Sequence, residues 1–269
     1  MNRRKQEELR RQQEIERKKR KFRKLAFPST SVAVVVLLLA SGIIPVHLQP
    51  SNSGFKPPGE MPWGSFAQIS DKNFGSAVTV YYISWDGCPI GATDSWEFYL
   101  ALEHYGNVSL TYPVAHYSLS TDIYPNTPGL LFSHPAQFKN ITFLPFYVYN
   151  QTMTGTVYNQ PISGDLLSYG MSVLQSSLPS SVFSLEYDIM KTVPTQGFNG
   201  MSSGVANGHI NTNVIITGPK GAWALDGPLF SPSNLKGESA TQLLNGGAVN
   251  NTYIFSGETA VLNAMEAAS

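Results

Sequence analysis

The chain has 269 residues, a formal net charge of zero and a single cysteine, Cys88. One cysteine excludes an intramolecular disulfide and a metal site built from several thiolates. The neutral average hides two opposite parts, because residues 1–24 carry twelve Lys or Arg and four Glu, whereas the other 245 residues carry six Lys, no Arg and fourteen Asp or Glu.

The second part is poor in charge of either sign. Only about 8% of its residues are charged, against roughly 25% in ordinary soluble domains. Uncharged polar residues must therefore form most of its surface. This composition suits an exterior compartment, including an acidic one in which carboxylates are partly protonated.

The N-terminal part predicts a membrane anchor. Residues 25–46 contain no charged residue, and at about 1.5 Å per residue they span about 33 Å, enough for a bilayer core of about 30 Å. The basic run 1–24 is predicted to be a cytoplasmic tail that leaves the bulk of the chain outside. The alternatives are a tail that binds nucleic acid or anionic lipid, and a cleaved signal peptide with a weak site at 40–42.

Residues 47–75 are rich in Pro, Gly and Ser and are predicted to be a linker, with Trp63 and Phe66 docking its end onto the domain. The exterior domain is predicted over 76–269. Its first strand, 77–85, is β-branched and aromatic without alternation, which is typical of a strand buried on both faces in the middle of a sheet.

The remaining elements follow from local patterns. A helix is predicted over 93–105, with Asp94 and Glu97 as a capping pair. Residues 213–217 and 222–225 have the signature of a hairpin. Further strands are expected at 108–118, 130–132 and 141–149, helices at 163–178, 239–244 and 256–267, and a loop at 192–211.

Other chemistry in the exterior part is sparse. Four Asn-x-Ser/Thr sequences are glycosylation candidates, and at least one is expected to carry sugar. The five histidines show no metal spacing, and neither a metal nor a cofactor is predicted. The tyrosines either form a sugar- or protein-binding surface by stacking or belong to a polar-tipped core. The glycosylation candidates are Asn107, Asn140, Asn150 and Asn250.

The segment 85–92 joins the first strand to the first helix through a tight turn that contains Cys88 and Pro89. A thiol at a helix N-terminus faces unpaired N–H groups and the positive end of the helix dipole, which favour the thiolate. Cys88 is therefore the candidate nucleophile, and Pro89 shapes its turn. The alternative is that Cys88 is a small apolar residue that fills the turn. Asp86, two residues earlier, would oppose thiolate formation.

This turn resembles the Cys-x-x-Cys turn of thioredoxin-like proteins. With segments 82–107, 121–128 and 251–254, it makes the chain similar, over about residues 70–265, to domain-of-unknown-function family 929, a largely archaeal family of membrane-anchored proteins. The resemblance implies an α/β fold with a thioredoxin-like domain: a central mixed sheet flanked by helices, with insertions.

The chain departs from the family pattern at two places. Members that keep the redox pattern have Cys-Pro-x-Cys, whereas Gly91 stands at the second cysteine position here. Thioredoxin-like folds also place a cis-proline opposite the active cysteine, before a late strand, and residues 210–212 contain no proline.

Dithiol exchange requires a resolving thiol, so the two-cysteine route is excluded. The leading hypothesis is a non-catalytic binding or structural module of the cell envelope, with an envelope protein as a candidate partner and no nucleic-acid partner. The alternative is a single-cysteine thiol–disulfide exchange enzyme that uses Cys88. A lipid- or nucleic-acid-associated role for residues 1–24 is a third hypothesis.

Overall fold

The computed structural model describes residues 59–269. The predicted basic tail, the predicted transmembrane helix at 25–46 and the first part of the predicted linker lie outside this range. Within 59–269, no helix combines the length and the apolar character needed to cross a bilayer.

A six-stranded mixed sheet organises this region. Its strands run in the order β1-β8-β7-β2-β6-β5; β2 and β6 are parallel, and the other neighbours are antiparallel. A separate antiparallel pair, β3-β4, lies outside the main sheet. The strands are β1 (Phe66–Ser70), β2 (Val78–Ser84), β3 (Pro113–Tyr117), β4 (Pro128–Phe132), β5 (Ala136–Phe138), β6 (Ile141–Tyr147), β7 (Asn213–Gly218) and β8 (Gly221–Asp226).

Helices flank the sheet. The longest, α1 and α6, pack against each other, and α6 also contacts β7 and β8. The α-helices are α1 (Pro89–Glu103), α2 (Leu166–Ser177), α3 (Ser180–Tyr187), α4 (Ser203–Asn207), α5 (Ala240–Gln242) and α6 (Thr252–Ala268). Short 3₁₀ turns occur at Val108–Thr111, Pro232–Leu235 and Ala248–Asn250, and π-helical turns at Asp188–Thr192 and Leu243–Gly247.

The prediction that the first strand is buried on both faces is confirmed. β2 lies between β7 and β6, and six of its seven residues are buried. Tyr82 is fully buried in the main core, where its ring meets those of Phe98 and Phe132 edge to face, each at a centroid distance of 5.6 Å. Because side chains alternate along a strand, Tyr81 and Ile83 point to the opposite face, and both are buried too.

The first helix begins earlier than predicted. Cys88, with φ −68° and ψ 122°, is the extended residue before α1, and Pro89 opens the helix. Asp94 and Glu97 consequently lie inside α1 and are fully buried, so the predicted capping pair is wrong. The Asp94 carboxylate instead accepts a hydrogen bond from the Leu229 backbone N–H at 3.2 Å.

Other boundaries differ for local reasons. The predicted strand 108–118 opens as a 3₁₀ turn, because the Asn107 side chain accepts from the Ser109 N–H at 3.1 Å. The predicted loop 192–211 contains α4. The last helix begins at Thr252 rather than at 256, because the Asn251 side chain accepts from the N–H groups of the first turn. The predicted hairpin is confirmed as β7 and β8.

The end of the predicted linker is part of the domain. Residues 66–70 form β1, an edge strand paired with β8. Met61 is fully buried, and its backbone N–H donates to the Pro194 carbonyl at 2.7 Å. Its composition resembles that of a linker because only Ile69 and Ser70 of this edge strand are buried, so the strand needs few apolar residues.

Candidate functional site

The Cys-Pro turn lies where the sequence predicts it, between the central strand and the first helix. β2 ends at Ser84, and the Cys88 backbone N–H donates to the Trp85 carbonyl at 3.1 Å to close the turn. The Cys88 carbonyl then accepts from the Ala92 N–H at 2.9 Å, the first hydrogen bond of α1. The turn therefore fixes the thiol at the N-terminus of a helix that starts with proline.

The thiol itself is buried, with Cys88 only 5% exposed. The Thr212 hydroxyl donates to its Sγ at 3.0 Å. Burial raises the pKa of the Cys88 thiol, and the hydrogen bonds from Thr212 and from the backbone of the first helical turn do not offset it. The expected thiolate-favouring effect of the helix N-terminus is thus outweighed by desolvation.

The neighbouring carboxyl groups do not favour a thiolate either. The negative charge of Asp94 contributes to the raised pKa of Cys88. Burial also raises the pKa of Asp86 to about 6, so this carboxyl is harder to ionise than an exposed aspartate.

The position of the missing second thiol is closely packed. A Cβ placed on Gly91 would lie 2.9 Å from Thr212 Oγ1 and would overlap Ser84 Oγ. The two hydroxyl oxygens are 2.7 Å apart, within hydrogen-bond distance. Ser84, Thr212 and Cys88 thus form a buried chain of two hydroxyls and one thiol. These three side chains leave no space for a side chain at Gly91 unless the local packing rearranges.

A cleft of about 660 Å³ opens above the turn. Partly exposed rings contribute to its wall, including Trp63 and Phe198, which meet edge to face at a centroid distance of 4.8 Å. The rings of Trp85 and His209, whose centroids are 6.2 Å apart, belong to the same lining as Cys88. The aromatic and histidine rings of the lining belong to Trp63, Trp85, Tyr124, Phe198, His209 and Phe230.

The candidate glycosylation sites differ in accessibility. Asn107, Asn140 and Asn250 are exposed. Asn150 is 9% exposed, and its side-chain oxygen accepts from the Thr154 N–H at 3.1 Å. Its side-chain nitrogen donates to Asn159 at 3.0 Å. The Asn150 amide is therefore held inside a turn of the folded domain.

A second cluster of buried polar groups is formed by Glu186, Asn213 and Asp226. Glu186 accepts from Asn213 Nδ2 at 3.0 Å, and Asp226 accepts from the Thr195 hydroxyl at 3.0 Å. Burial raises the pKa of Glu186 to about 8 and that of Asp226 to about 7. Asn213 and Asp226 are direct cross-strand partners in β7 and β8, so the three side chains adjoin one another. In sequence, Glu186 belongs to a set of scattered acids with no evident partner.

Within 59–269, no group of three or more His, Cys, Asp or Glu side chains has the geometry to hold a metal ion.

Several residues of the site were not predicted from the sequence. Thr212 had the clearest signal available, since it directly precedes the late strand β7. Ser84 carries no signal beyond its place at the end of β2. The cleft residues of segments 196–198, 207–211 and 228–232 come from loops that are distant in sequence from Cys88, so no local pattern joins them.

A family model described as Domain of unknown function (DUF929) matches residues 65–266. No curated protein gives a significant match to the chain. No solved structure gives one either.

Proposed function

The chain belongs to the family described as Domain of unknown function (DUF929), and we propose that its folded region is a thioredoxin-like binding module of the cell envelope that has lost dithiol redox chemistry. Its ligand site is the cleft above the Cys88 turn. The family match extends from Ser65, just before β1, into the last helix, so it covers every residue of the cleft lining except Trp63.

The thioredoxin-like assignment is supported by the surroundings of the turn. Cys88 and Pro89 follow a central strand that is parallel to β6 and antiparallel to β7. The residue that precedes β7 contacts the cysteine, as expected for a thioredoxin-like arrangement, but that residue is Thr212. A hydroxyl hydrogen-bonded to the thiol thus stands at the position expected for the proline.

The loss of dithiol chemistry is inferred from the packing at Gly91. Ser84 and Thr212 fill the volume that a second thiol would need. The absence of the second cysteine is therefore not a simple exchange of one side chain, because its neighbours would have to rearrange to admit it. This packing is the observation that carries the proposal.

The location of the module is proposed from the sequence. Residues 25–46 would anchor the chain as a single transmembrane helix, with the N-terminus in the cytoplasm and residues 59–269 outside. The exposed sequons at Asn107, Asn140 and Asn250 would then be accessible to glycosylation. An envelope protein or glycan in the same compartment is the expected class of partner.

A single-cysteine thiol–disulfide exchange enzyme is the second candidate. One observation favours it, namely that Cys88 belongs to the lining of the cleft. The burial of the thiol and its raised pKa oppose it, since the thiolate is the nucleophile in exchange.

The rate of Cys88 alkylation against pH separates the two candidates. Because Cys88 is the only cysteine, labelling of the full-length protein reports on this thiol alone. We expect labelling only after denaturation, both in the unmodified protein and in a Thr212→Val variant, because burial rather than the hydroxyl protects the thiol. Fast labelling of the native protein, with a midpoint well below about 8.5, would make the thiol enzyme the better proposal.

A further inference from the structure

The walls of the cleft combine aromatic rings with apolar side chains. Tyr124, Phe198 and Phe230 are each partly exposed there, so their rings are available to a ligand. The volume of about 660 Å³ falls within the roughly 300–1,000 Å³ that small-molecule sites occupy. The cleft is thus large enough for a short oligomeric ligand and offers it flat apolar contact surfaces.

The charge of the cleft disfavours an anionic ligand. Asp122 is the one acidic side chain in the lining, and no Lys or Arg lines it. Residues 59–269 as a whole carry fourteen Asp or Glu against five Lys and no Arg. An anion would therefore meet a repulsive field and no compensating cation.

Two residues of the cleft lining have side-chain hydrogen-bond donors that lack partners. Trp85 is 3% exposed and Asn211 is 4% exposed, and both belong to the lining. Trp85 Nε1 and Asn211 Nδ2 have no acceptor among the described residues. A buried unpaired donor costs about 1–3 kcal/mol. Both nitrogen atoms are themselves buried, so a ligand acceptor satisfies them only when side chains of the lining shift. Asn207 adds a further amide, which donates to Asn211 Oδ1 at 3.1 Å.

Several backbone N–H groups of the cleft loops are committed to internal hydrogen bonds. The N–H groups of Gln196 and Phe198 donate to the carbonyls of Met61 and Thr195, at 2.9 and 3.1 Å. The Tyr124 N–H donates to the Asp122 side chain at 3.2 Å. An extended peptide that binds by adding a strand needs free main-chain groups along a strand edge, whereas no residue of the cleft lining belongs to a strand.

From this combination we propose that the cleft binds a short neutral oligosaccharide. Sugar rings present apolar C–H faces that stack on the aromatic side chains, and hydroxyl groups accept from N–H donors while donating to the Asp122 carboxylate. The inference rests on the proposed function, since it names the ligand class of that same cleft. Glycans of the cell envelope and free oligosaccharides share this chemistry.

The test is a titration of the full-length protein in lipid nanodiscs, because sugar-based detergents would compete for the cleft. The probes are linear trisaccharides of glucose, mannose and galactose, followed by intrinsic tryptophan fluorescence and by saturation-transfer NMR. An uncharged tripeptide and trigalacturonate serve as the peptide and anionic comparators. We expect saturable binding of at least one neutral trisaccharide and none of trigalacturonate.

A pair of tyrosine variants locates the binding. Tyr124→Ala should weaken binding about three- to tenfold through loss of one stacking surface. Tyr158→Ala, at a side chain that is 82% exposed and outside the cleft lining, should leave binding unchanged. Circular dichroism and a thermal melt confirm that each variant is folded. Phe230→Ala, which removes another partly exposed ring of the lining, replaces Tyr124→Ala if that variant unfolds.

The outcomes separate this inference from the proposed function. Binding of the tripeptide alone would overturn the oligosaccharide inference and leave a binding module. Binding of no probe, or trisaccharide binding that is insensitive to the cleft variants, would overturn the inference as well. The proposed loss of thiol chemistry is decided independently by the alkylation of Cys88.

Trisaccharide binding sensitive to Tyr124→Ala would support the inference. Repeating the titration with isolated cell-envelope glycan would then distinguish a surface glycan from a free oligosaccharide.

Discussion

The buried carboxyl of Glu186 should make the stability of this protein fall as the pH rises. Glu186 is fully buried, its Oε2 has no hydrogen-bond partner in the described part of the chain, and burial raises its pKa from 4.5 to about 8. The folded state therefore binds a proton more tightly than the unfolded state does. Its contribution to the free energy of unfolding is lost as the pH rises between these two pKa values.

The size of the effect follows from the pKa difference. Within this window the free energy of unfolding falls by about 1.4 kcal/mol for each pH unit. Ionisation of Glu186 therefore lowers the free energy of unfolding by on the order of 3 kcal/mol at pH 7 and on the order of 5 kcal/mol above pH 8. Glu186→Gln keeps the shape of the side chain and an oxygen that can accept from Asn213. The effect of this substitution on the free energy of unfolding should therefore be more favourable at pH 7 than at pH 4, by about 3 kcal/mol.

Urea unfolding of both proteins at the two pH values measures this double difference, in which the intrinsic effect of the amide cancels. Glu238→Gln, at an exposed glutamate, is the matched control and should show no comparable difference. Asp226, whose pKa is raised to about 7 by burial, acts in the same direction, and Asp226→Asn should repeat the result. A double difference near zero, or one that favours the glutamate at neutral pH, would refute the reasoning.

Three further substitutions or measurements test the local structure. Gly91→Cys should destabilise the domain by about 1–3 kcal/mol through overpacking, as measured by denaturant unfolding. Adding Ser84→Ala should recover part of this loss. An unchanged free energy of unfolding in the single variant would contradict the packing argument. Mass spectrometry of glycopeptides should find sugar at Asn107 but not at Asn150, and occupancy of Asn150 in the folded protein would show that its turn opens before modification. Asn251→Ala should lower the stability of the domain by about 1 kcal/mol through loss of the α6 N-cap, which should lower the thermal midpoint. An unchanged midpoint would show that packing alone holds that helix end.

The sequence determined the elements whose signals are local. The run of β-branched and aromatic residues from Val78 to Ser84 predicted a central strand, and the strand is buried on both faces because bulky apolar residues occupy both sides of its pleat. The Gly-Pro-Lys-Gly turn between two apolar runs predicted the β7-β8 hairpin. Cys88 followed by Pro89 indicated a helix N-terminus at this turn, but the predicted helix began at 93, whereas α1 begins at Pro89.

Only the tertiary structure decided what surrounds these elements. The sequence shows that Gly91 lacks a thiol, but the reason that none fits is that Ser84 and Thr212, separated by 128 positions, meet at that point. The protonation of Glu186 likewise depends on burial against β7 and β8, because desolvation is a property of the folded interior rather than of the residue.

The cleft has the same origin. Its lining combines the Cys88 turn with Trp63 and with loops that are distant along the chain, which the sheet order brings together. Local sequence patterns encode backbone conformation through steric and hydrogen-bonding preferences of neighbouring residues. The chemistry of this site depends on contacts between distant segments, and these contacts exist only once the chain has folded.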